Sequence, residues 1–492
     1  MFLPVFLAFW VIFFFYHFYW KRRGFPPGPT PLPFVGNIFH FDISNAEQQL
    51  LEYRRKYGKM FTLWLPEPYV FFGDFEMMKT YFKRDELSGR PEMEGMKLFI
   101  GGNYGMVINE NLWWRSQRRF GLHVLRDFGV GKPVLENACI EEGRKLVEDL
   151  NRAKGNPVCL LPYVLTAVGN IIHQLVFGSV REYDDPFFHD IARDFKIVAD
   201  FFNSPTMFLI EQFGYKPALY LQKIFDYGLN RVIKSNDSIL DVVQEEIDCH
   251  KKTVIYDQPP RDYIDAYLFE MKRREEEGRP LEEFTEHQLK ASLYDLFFAG
   301  METTVTTLRH AILHMIRSPK IQARIHKEID EVIGREKEIC MSDQKLLPYV
   351  NATIQEVQRI SNVVTLNVPH CTTEDIVVEG YSIPKKTVVI PQYSIVHVDP
   401  KEFAEPGEFL PDRFINANGE FVKDERVIPF SIGKRACLGE GLARMELFIY
   451  FATLMQKFEF HPEVEGRMPP LDMSVKVTKT PKPYLFRAIT RV

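Results

Sequence analysis

The sequence is poor in cysteine and has no surplus of basic charge. Its 492 residues include six cysteines, at positions 139, 159, 249, 340, 371 and 437, and no two of them form a CxxC pair. A disulfide framework or a zinc finger is therefore not predicted, and a reducing compartment is expected. Asp and Glu number 66 against 61 Lys and Arg. Because no basic surplus exists to neutralise phosphates, a nucleic-acid binder is not expected.

Nucleotide-binding motifs are also missing. No GxGxxG follows a strand pattern, and no P-loop occurs anywhere in the chain. The chain therefore has no recognisable site for a nicotinamide or flavin of its own, and any electrons it uses must come from another protein. What the sequence does have is a large apolar fraction, 46% of residues, including 42 phenylalanines. Such a composition can fill a large and bulky core.

The first twenty residues contain no Lys, Arg, Asp or Glu. As a helix they would span roughly 30 Å, one hydrocarbon thickness. The basic run 21–23 follows at once, so the positive-inside rule keeps the C-terminal body in the cytoplasm. A cleaved signal peptide is the alternative, but a basic leading region and a small-residue cleavage site are lacking. We expect a transmembrane anchor over 1–20, a basic and proline-rich linker over 21–35, and one catalytic domain over 36–492.

The body is predicted to be mainly helical. The clearest helix covers residues 285–317 and ends before Ser318-Pro319. Short β-branched runs between residues 377 and 390 predict turn-bounded hairpins. The charge run 272–284 is expected to be a solvated loop.

A single cysteine lies in the stretch FSIGKRACLG, residues 430–439. The residues after Cys437 are apolar at helical spacing, so we expect Cys437 at a helix N-terminus, where amide donors and the dipole stabilise a thiolate. Gly433 permits a sharp turn, Arg435 supplies a cation, and Gly439 leaves room for a flat group. This pattern is what a haem with an axial cysteine requires. A buried structural cysteine and a nucleophilic cysteine are the alternatives.

The pattern Phe430-x-x-Gly433-x-Arg435-x-Cys437-x-Gly439 resembles the haem loop of the cytochrome P-450 superfamily, the haem-thiolate monooxygenases. The resemblance extends over essentially the whole chain and is greatest to the animal microsomal branch that handles drugs, steroids and fatty acids. It implies a mainly α fold with small β-sheets and one long central helix. It also implies haem b as cofactor, with Cys437 as the axial thiolate and Phe430, Arg435 and Gly439 around the haem.

The long helix contains the stretch AGMETT. Ala299 and Gly300 lie four and three residues before Thr303, so the three share one helix face, and the small residues are expected to open a notch there. A glycine inside a helix costs up to about 1 kcal/mol against alanine and calls for a reason. The resemblance implies that dioxygen occupies this notch, with Glu302 and Thr303 as the acid–alcohol pair that delivers protons.

Further positions follow from the same resemblance. Glu356, Arg359 and Arg413 match the family's structural Glu-Arg-Arg triad. The matches to the positions that bind the haem propionates are Arg90, Trp114, Arg118, His370 and Arg435. The i, i+4 pair His310 and His314 has metal-ligand spacing, but no third ligand is identifiable, so a structural histidine pair is the competing interpretation.

The function implied is an NADPH- and dioxygen-dependent monooxygenase that hydroxylates or epoxidises lipophilic small molecules: xenobiotics, fatty acids or steroids. Electrons would come from a separate membrane-bound flavoprotein reductase, with a cytochrome b5-type protein as a further donor. The expected location is the endoplasmic reticulum membrane, and a basic docking face for the donor would comprise Lys434, Arg444, Arg115 and Arg119. Two alternatives stay open: a haem-thiolate isomerase or dehydratase acting on peroxides, and a haem-based gas sensor.

Overall fold

The computed structural model describes residues 2–129, 131–202 and 204–491. Its α-helices, in chain order, are α1 (Phe2–Phe15), α2 (Ala46–Tyr57), α3 (Phe75–Tyr81), α4 (Glu94–Ile100), α5 (Asn111–Asp127), α6 (Pro133–Asn151), α7 (Leu161–Phe177), α8 (Phe187–Phe202), α9 (Pro205–Phe213), α10 (Tyr215–Gln222), α11 (Leu229–Thr253), α12 (Tyr263–Glu276), α13 (Glu286–Arg317), α14 (Pro319–Val332), α15 (Pro348–Ser361), α16 (Ser394–His397) and α17 (Glu440–Lys457). The strands are β1 (Met60–Trp64), β2 (Pro68–Phe72), β3 (His370–Cys371), β4 (Ile376–Val378), β5 (Tyr381–Ile383), β6 (Val388–Pro391), β7 (Phe458–Pro462), β8 (Met473–Val475), β9 (Lys479–Pro481) and β10 (Phe486–Thr490). The predicted fold class, mainly helical with small sheets, is confirmed.

The described chain divides into two compact units, each assembled from separate segments. The first unit comprises the residues up to Pro91, Val364–Gly407 and Ile428–Cys437. Its main sheet has the strand order β1-β2-β6-β3, in which β2 and β6 are parallel and the other pairs antiparallel. The predicted hairpin is present as β4 and β5, whereas the third apolar run, β6, joins the main sheet.

The second unit comprises Glu92–Val363, Glu408–Val427 and the residues from Leu438 on. Its centre is α13, which packs against α7, α11, α15 and α17. Thr285 caps the N-terminus of α13 by accepting from the Gln288 amide, and the helix ends where Pro319 begins α14. The predicted bounds, 285–317, therefore agree with the observed helix. Every residue from 304 to 316 is buried, so the polar side chains in that stretch need partners inside the unit.

The N-terminal segment differs from the predicted helix over residues 1–20. An α-helix of 14 residues, α1, is followed by a π-helical turn at Tyr16–Trp20. Throughout the part of the chain that the structure describes, no helix combines the length and the apolarity needed to cross a bilayer. The transmembrane anchor is thus not confirmed by the fold. The linker after it carries no helix over 26–35 and pairs with β1, since the Thr62 amide donates to the Pro27 carbonyl at 3.0 Å.

Candidate haem site

The loop that ends in Cys437 is a tight, hydrogen-bonded turn in the first unit. The Cys437 amide donates to the Phe430 carbonyl at 2.8 Å, and the Ala436 amide donates to the Gly433 carbonyl at 3.1 Å. The Cys437 side chain is exposed. Helix α17 begins at Glu440, so Cys437 lies three residues before the first helical residue. The expectation that Cys437 stands at the helix N-terminus itself is therefore wrong by almost one turn.

Gly433 is the position where this loop requires glycine. Its φ is +82°, and a Cβ there would lie 2.0 Å from the carbonyl oxygen of Phe82. The same carbonyl accepts from the Lys434 amide at 3.1 Å. A side chain at residue 433 would thus both strain the backbone and push the loop away from the Phe82 carbonyl that holds it.

Three side chains with nitrogen donors belong to the first unit, which also contains this loop. Arg90, His370 and Arg435 are all buried. Arg435 donates to the Ser88 carbonyl at 2.9 Å, and Arg90 donates to the Pro369 carbonyl at 2.7 Å. His370 Nδ1 lies 2.8 Å from the Leu87 carbonyl and donates to it, because a carbonyl can only accept.

The electrostatics of this group favour a bound anion. Burial, the charge of Arg90 and the charge of Arg435 together hold the pKa of His370 well below its usual range. Two buried guanidinium groups beside a neutral imidazole form a site that a carboxylate would stabilise. The residues present therefore fit a haem, whose propionates are carboxylates.

In the second unit, Trp114 and Arg118 lie on one face of α5, four residues apart. Trp114 is buried and Arg118 is half-buried. Gly439 caps α17. Apart from its neighbours in the chain, no described atom lies within 4 Å of the position that a Cβ would occupy there, so this position is open.

On α13, Ala299 is exposed and Thr303 is partly exposed. The Thr303 hydroxyl donates to the Ala299 carbonyl one turn earlier, at 2.9 Å. Gly300 was predicted to lie in the open notch, but it packs against a neighbouring helix. A Cβ at Gly300 would lie 3.0 Å from both Cδ1 and Cγ1 of Ile172 on α7. The glycine thus permits close packing of α13 on α7, and the open side of the helix is formed by Ala299 and Thr303.

The carboxylate of Glu302 accepts two hydroxyl hydrogen bonds in the second unit. Thr306 donates from one turn further along α13 at 3.3 Å, and Thr478 donates from the turn between β8 and β9 at 3.1 Å. Burial raises the pKa of Glu302, although these hydrogen bonds and the charges of Arg309 and Lys196 oppose the effect. A carboxyl group with a raised pKa keeps its proton to a higher pH than an exposed glutamate does, and this suits a residue that donates and recovers protons.

Glu356, Arg359 and Arg413 are brought together in the second unit. Glu356 and Arg359 are fully buried, and Arg359 donates to both carboxylate oxygens, at 2.7 and 2.8 Å. Arg413 and the Leu410 amide donate to Oε1 of Glu356 at 3.1 and 2.9 Å. The triad therefore fastens the segment around 408–413 to α15, because Arg359 also donates to the Glu408 carbonyl at 3.3 Å.

The histidine pair on α13 is structural. His310 Nε2 donates to the Lys479 carbonyl at 2.9 Å, and the His314 ring stacks on Phe409 with centroids 4.3 Å apart. Burial lowers the pKa of His310 to about 3 and that of His314 to about 4. Both rings are therefore neutral packing elements, and the metal alternative gains no support from them.

Two cations of the expected docking face have acidic partners. Lys434 forms an ion pair with Asp85, and Arg444 with Glu440. Arg115 and Arg119 lie on the exposed side of α5. The positive charge available to a redox partner is thus smaller than the sequence suggested.

The comparisons agree with this geometry. The cytochrome P450 family profile matches residues 26–488. The chain is 42% identical over 474 residues to the probable cytochrome P450 CYP36A1 of Caenorhabditis elegans, with 96% of each chain covered. It is 39% identical to cytochrome P450 2D26 of Rattus norvegicus, over 96% of this chain and 94% of the relative. It is 38% identical to cytochrome P450 2J2 of Homo sapiens, over 96% and 92%.

A mainly helical fold with a cysteine loop of this kind defines a haem-thiolate protein. The chain belongs to the cytochrome P450 family, and it is a monooxygenase with haem as its cofactor. Sequence reasoning identified the cysteine loop and the triad but missed Thr478, because a partner 176 residues away from Glu302 leaves no local signal.

Proposed function

We propose that the chain is an NADPH- and dioxygen-dependent monooxygenase for lipophilic small molecules, and that a separate flavoprotein reductase supplies its electrons. The absence of GxGxxG and P-loop motifs supports a separate electron donor. A cytochrome b5-type protein is proposed as a further donor. The observation that carries the proposal is the group formed by Arg90, His370 and Arg435 in the same unit as the Cys437 loop.

In this proposal Cys437 would hold the haem iron as a thiolate and would be the sole protein ligand. Arg90, His370 and Arg435 would hold the haem propionates, and the resemblance to the family assigns the same role to Trp114 and Arg118 of α5. When bound, the haem would supply the reductive activation of dioxygen, a chemistry that a thiolate ligand favours. The remaining roles belong to side chains of the chain itself.

Thr303 and Glu302 are the proposed proton-handling residues. Thr303 presents a hydroxyl on the open side of α13 and can hold a proton-carrying water there. Glu302 has a raised pKa and hydroxyl neighbours, so it can pass a proton inward and take another from solvent. Positioned proton transfer typically contributes a factor of 10²–10⁴ to a rate.

A lipophilic substrate is supported by aromatic side chains of the second unit. Phe298 of α13 packs on Phe195 of α8 with ring centroids 4.9 Å apart, and Phe99 of α4 packs on Phe202 at 5.6 Å. Apolar side chains with few charges suit substrates such as fatty acids, steroids or foreign lipophiles.

A membrane location is proposed as well. Residues 1–20 would form the anchor and place the body on the cytoplasmic side of the endoplasmic reticulum. Exposed apolar side chains on α1 and the turn after it support this proposal, among them Phe9, Ile12, Tyr19 and Trp20. Tyr and Trp near a basic run are typical of a membrane interface.

The test is a stoichiometric assay with the purified chain and a flavoprotein reductase in phospholipid vesicles. NADPH and dioxygen consumption and product formation are measured against a panel of fatty acids, steroids and drugs. We expect one dioxygen and one NADPH consumed per hydroxylated or epoxidised product. Full turnover of an organic peroxide without NADPH would instead identify an isomerase, and no NADPH-dependent turnover with any substrate would favour a gas sensor.

A further inference from the structure

The hairpin formed by β8 and β9 is fastened to α13 by polar contacts on one side of the helix. Arg309 donates to the Pro481 carbonyl at 2.6 Å, and His310 donates to the Lys479 carbonyl at 2.9 Å. Tyr484, just beyond the hairpin, donates to the Arg309 carbonyl at 2.7 Å. Since Arg309, His310 and Tyr484 are buried, these bonds give the hairpin a fixed position along the helix.

In this position, a hydroxyl group of the hairpin donates a hydrogen bond to the carboxylate of Glu302, the proposed proton-handling residue. Thr478 Oγ1 lies 3.1 Å from Glu302 Oε1, and Thr480 Oγ1 lies 3.2 Å from Thr478 Oγ1. Thr478 and Thr480 are partly exposed. The three side chains thus form a continuous hydrogen-bonded row from Glu302 to the solvent-facing side of the hairpin.

A threonine hydroxyl both donates and accepts a hydrogen bond. It can therefore receive a proton on one side while it releases one on the other, which an apolar side chain of the same shape cannot do. The second hydroxyl on Glu302, that of Thr306, is buried on α13 and donates from one turn away. Thr306 bonds to the same carboxylate oxygen as Thr478, but it is buried and belongs to α13, so it does not extend the row towards solvent.

We propose that Thr478, with Thr480 behind it, is a positioning residue through which Glu302 recovers its proton from solvent. The proposal rests on the proposed role of Glu302 in proton delivery. After Glu302 releases a proton inward, a hydronium ion or buffer acid in solvent gives a proton to the Thr480 hydroxyl. In one concerted transfer Thr480 passes its own proton to Thr478 and Thr478 passes its own to the Glu302 carboxylate, so no alkoxide forms and one proton in total moves from solvent to Glu302.

The charged groups around Glu302 do not replace this route. Arg309 on α13 and Lys196 on α8 stabilise the carboxylate by charge. Arg309 donates to the Pro481 carbonyl, and the Lys196 ammonium donates to the Asp200 carboxylate at 2.6 Å. Their influence sets the affinity of Glu302 for a proton, whereas the hydroxyl row provides the path.

The experiment compares Thr478→Val, Thr480→Val and Thr306→Val in the haem-loaded enzyme with reductase. Valine keeps the branched shape and removes the hydroxyl, and Thr478→Ser restores it. We measure product per NADPH and the ratio of turnover in H₂O and D₂O. Independently of activity, infrared difference spectroscopy follows the titration of the Glu302 carboxyl band, which is assigned by its absence in Glu302→Gln.

Thr478→Val and Thr306→Val should each move the midpoint of that titration to higher pH, by about one unit, because each removes one hydrogen bond from the charged form. Thr480→Val should leave the midpoint in place. The solvent isotope effect should rise, and product per NADPH fall, in Thr478→Val and Thr480→Val well beyond any change in Thr306→Val, which alters the Glu302 midpoint but leaves the row intact, while Thr478→Ser stays close to wild type.

Two results would overturn the inference, and they differ in meaning. Wild-type isotope effects and coupling in both Thr478→Val and Thr480→Val, with Glu302→Gln impaired, would show that Glu302 is recharged by another path. Wild-type coupling in Glu302→Gln would remove the proposed role of Glu302 itself, and the hairpin row would lose its purpose with it.

Discussion

Removal of the Glu356 carboxylate should be among the most destabilising single changes in this chain. Glu356 and Arg359 are both fully buried. The carboxylate accepts from Arg359 at 2.7 and 2.8 Å, from Arg413 at 3.1 Å and from the Leu410 amide at 2.9 Å. Glu356→Ala leaves a buried guanidinium without its counter-charge. Breaking a buried pair from one side costs about 3–5 kcal/mol.

The chain offers a matched control in Glu141 and Arg144 on α6. This pair has the same i, i+3 spacing and side-chain exposures of 47% and 49%, so solvent screens it and Glu141→Ala should leave stability close to wild type. The measurement is the free energy of unfolding in urea, followed by circular dichroism, for both variants and wild type. Equal unfolding midpoints for Glu356→Ala and Glu141→Ala would refute the reasoning.

Three further outcomes are expected. Gly433→Ala should lower haem retention far more than Gly419→Ala, because both glycines have a positive φ but only the first meets a backbone oxygen at 2.0 Å; equal retention after gel filtration would contradict this. Burial opposes protonation of His250, but the hydrogen bond that His250 Nε2 donates to the Asp262 carboxylate raises the pKa of His250 overall. Stability from this pair is therefore present below pH about 6.5 and lost as pH rises through the folded pKa. Urea midpoints of wild type and Asp262→Asn should converge at high pH rather than diverge. Thr303→Ala should keep the haem but release hydrogen peroxide in place of product, and an unchanged ratio of product to NADPH would speak against its role.

Elements whose form depends on residues close together in the chain could be predicted from the sequence. The bounds of α13 follow from a capping threonine at residue 285 and a proline at residue 319. The cysteine loop is compact in sequence, and its glycine at residue 433 has the positive φ that the motif suggested. Glu356 and Arg359 are three apart on one helix and so face each other, but their place in a triad with Arg413 was predicted from the resemblance to the family.

Features that depend on tertiary packing could not be predicted in this way. Gly300 is explained by Ile172, a residue on another helix. The charge run 272–284 was expected to be a solvated loop, yet α12 extends to Glu276. Within it Arg274 is buried, bonds to Glu270 at 2.8 Å and covers the Phe284 ring.

The central claim is that Cys437 is the thiolate ligand of the haem, and the reduced carbon monoxide spectrum tests it most directly. Cys249→Ala serves as the control, because Cys249 is also exposed but lies on α11. The account predicts that Cys437→His binds haem and loses the red-shifted Soret band of a thiolate-ligated haem, while Cys249→Ala keeps it. A red-shifted band that persists in Cys437→His would contradict the assignment of the ligand.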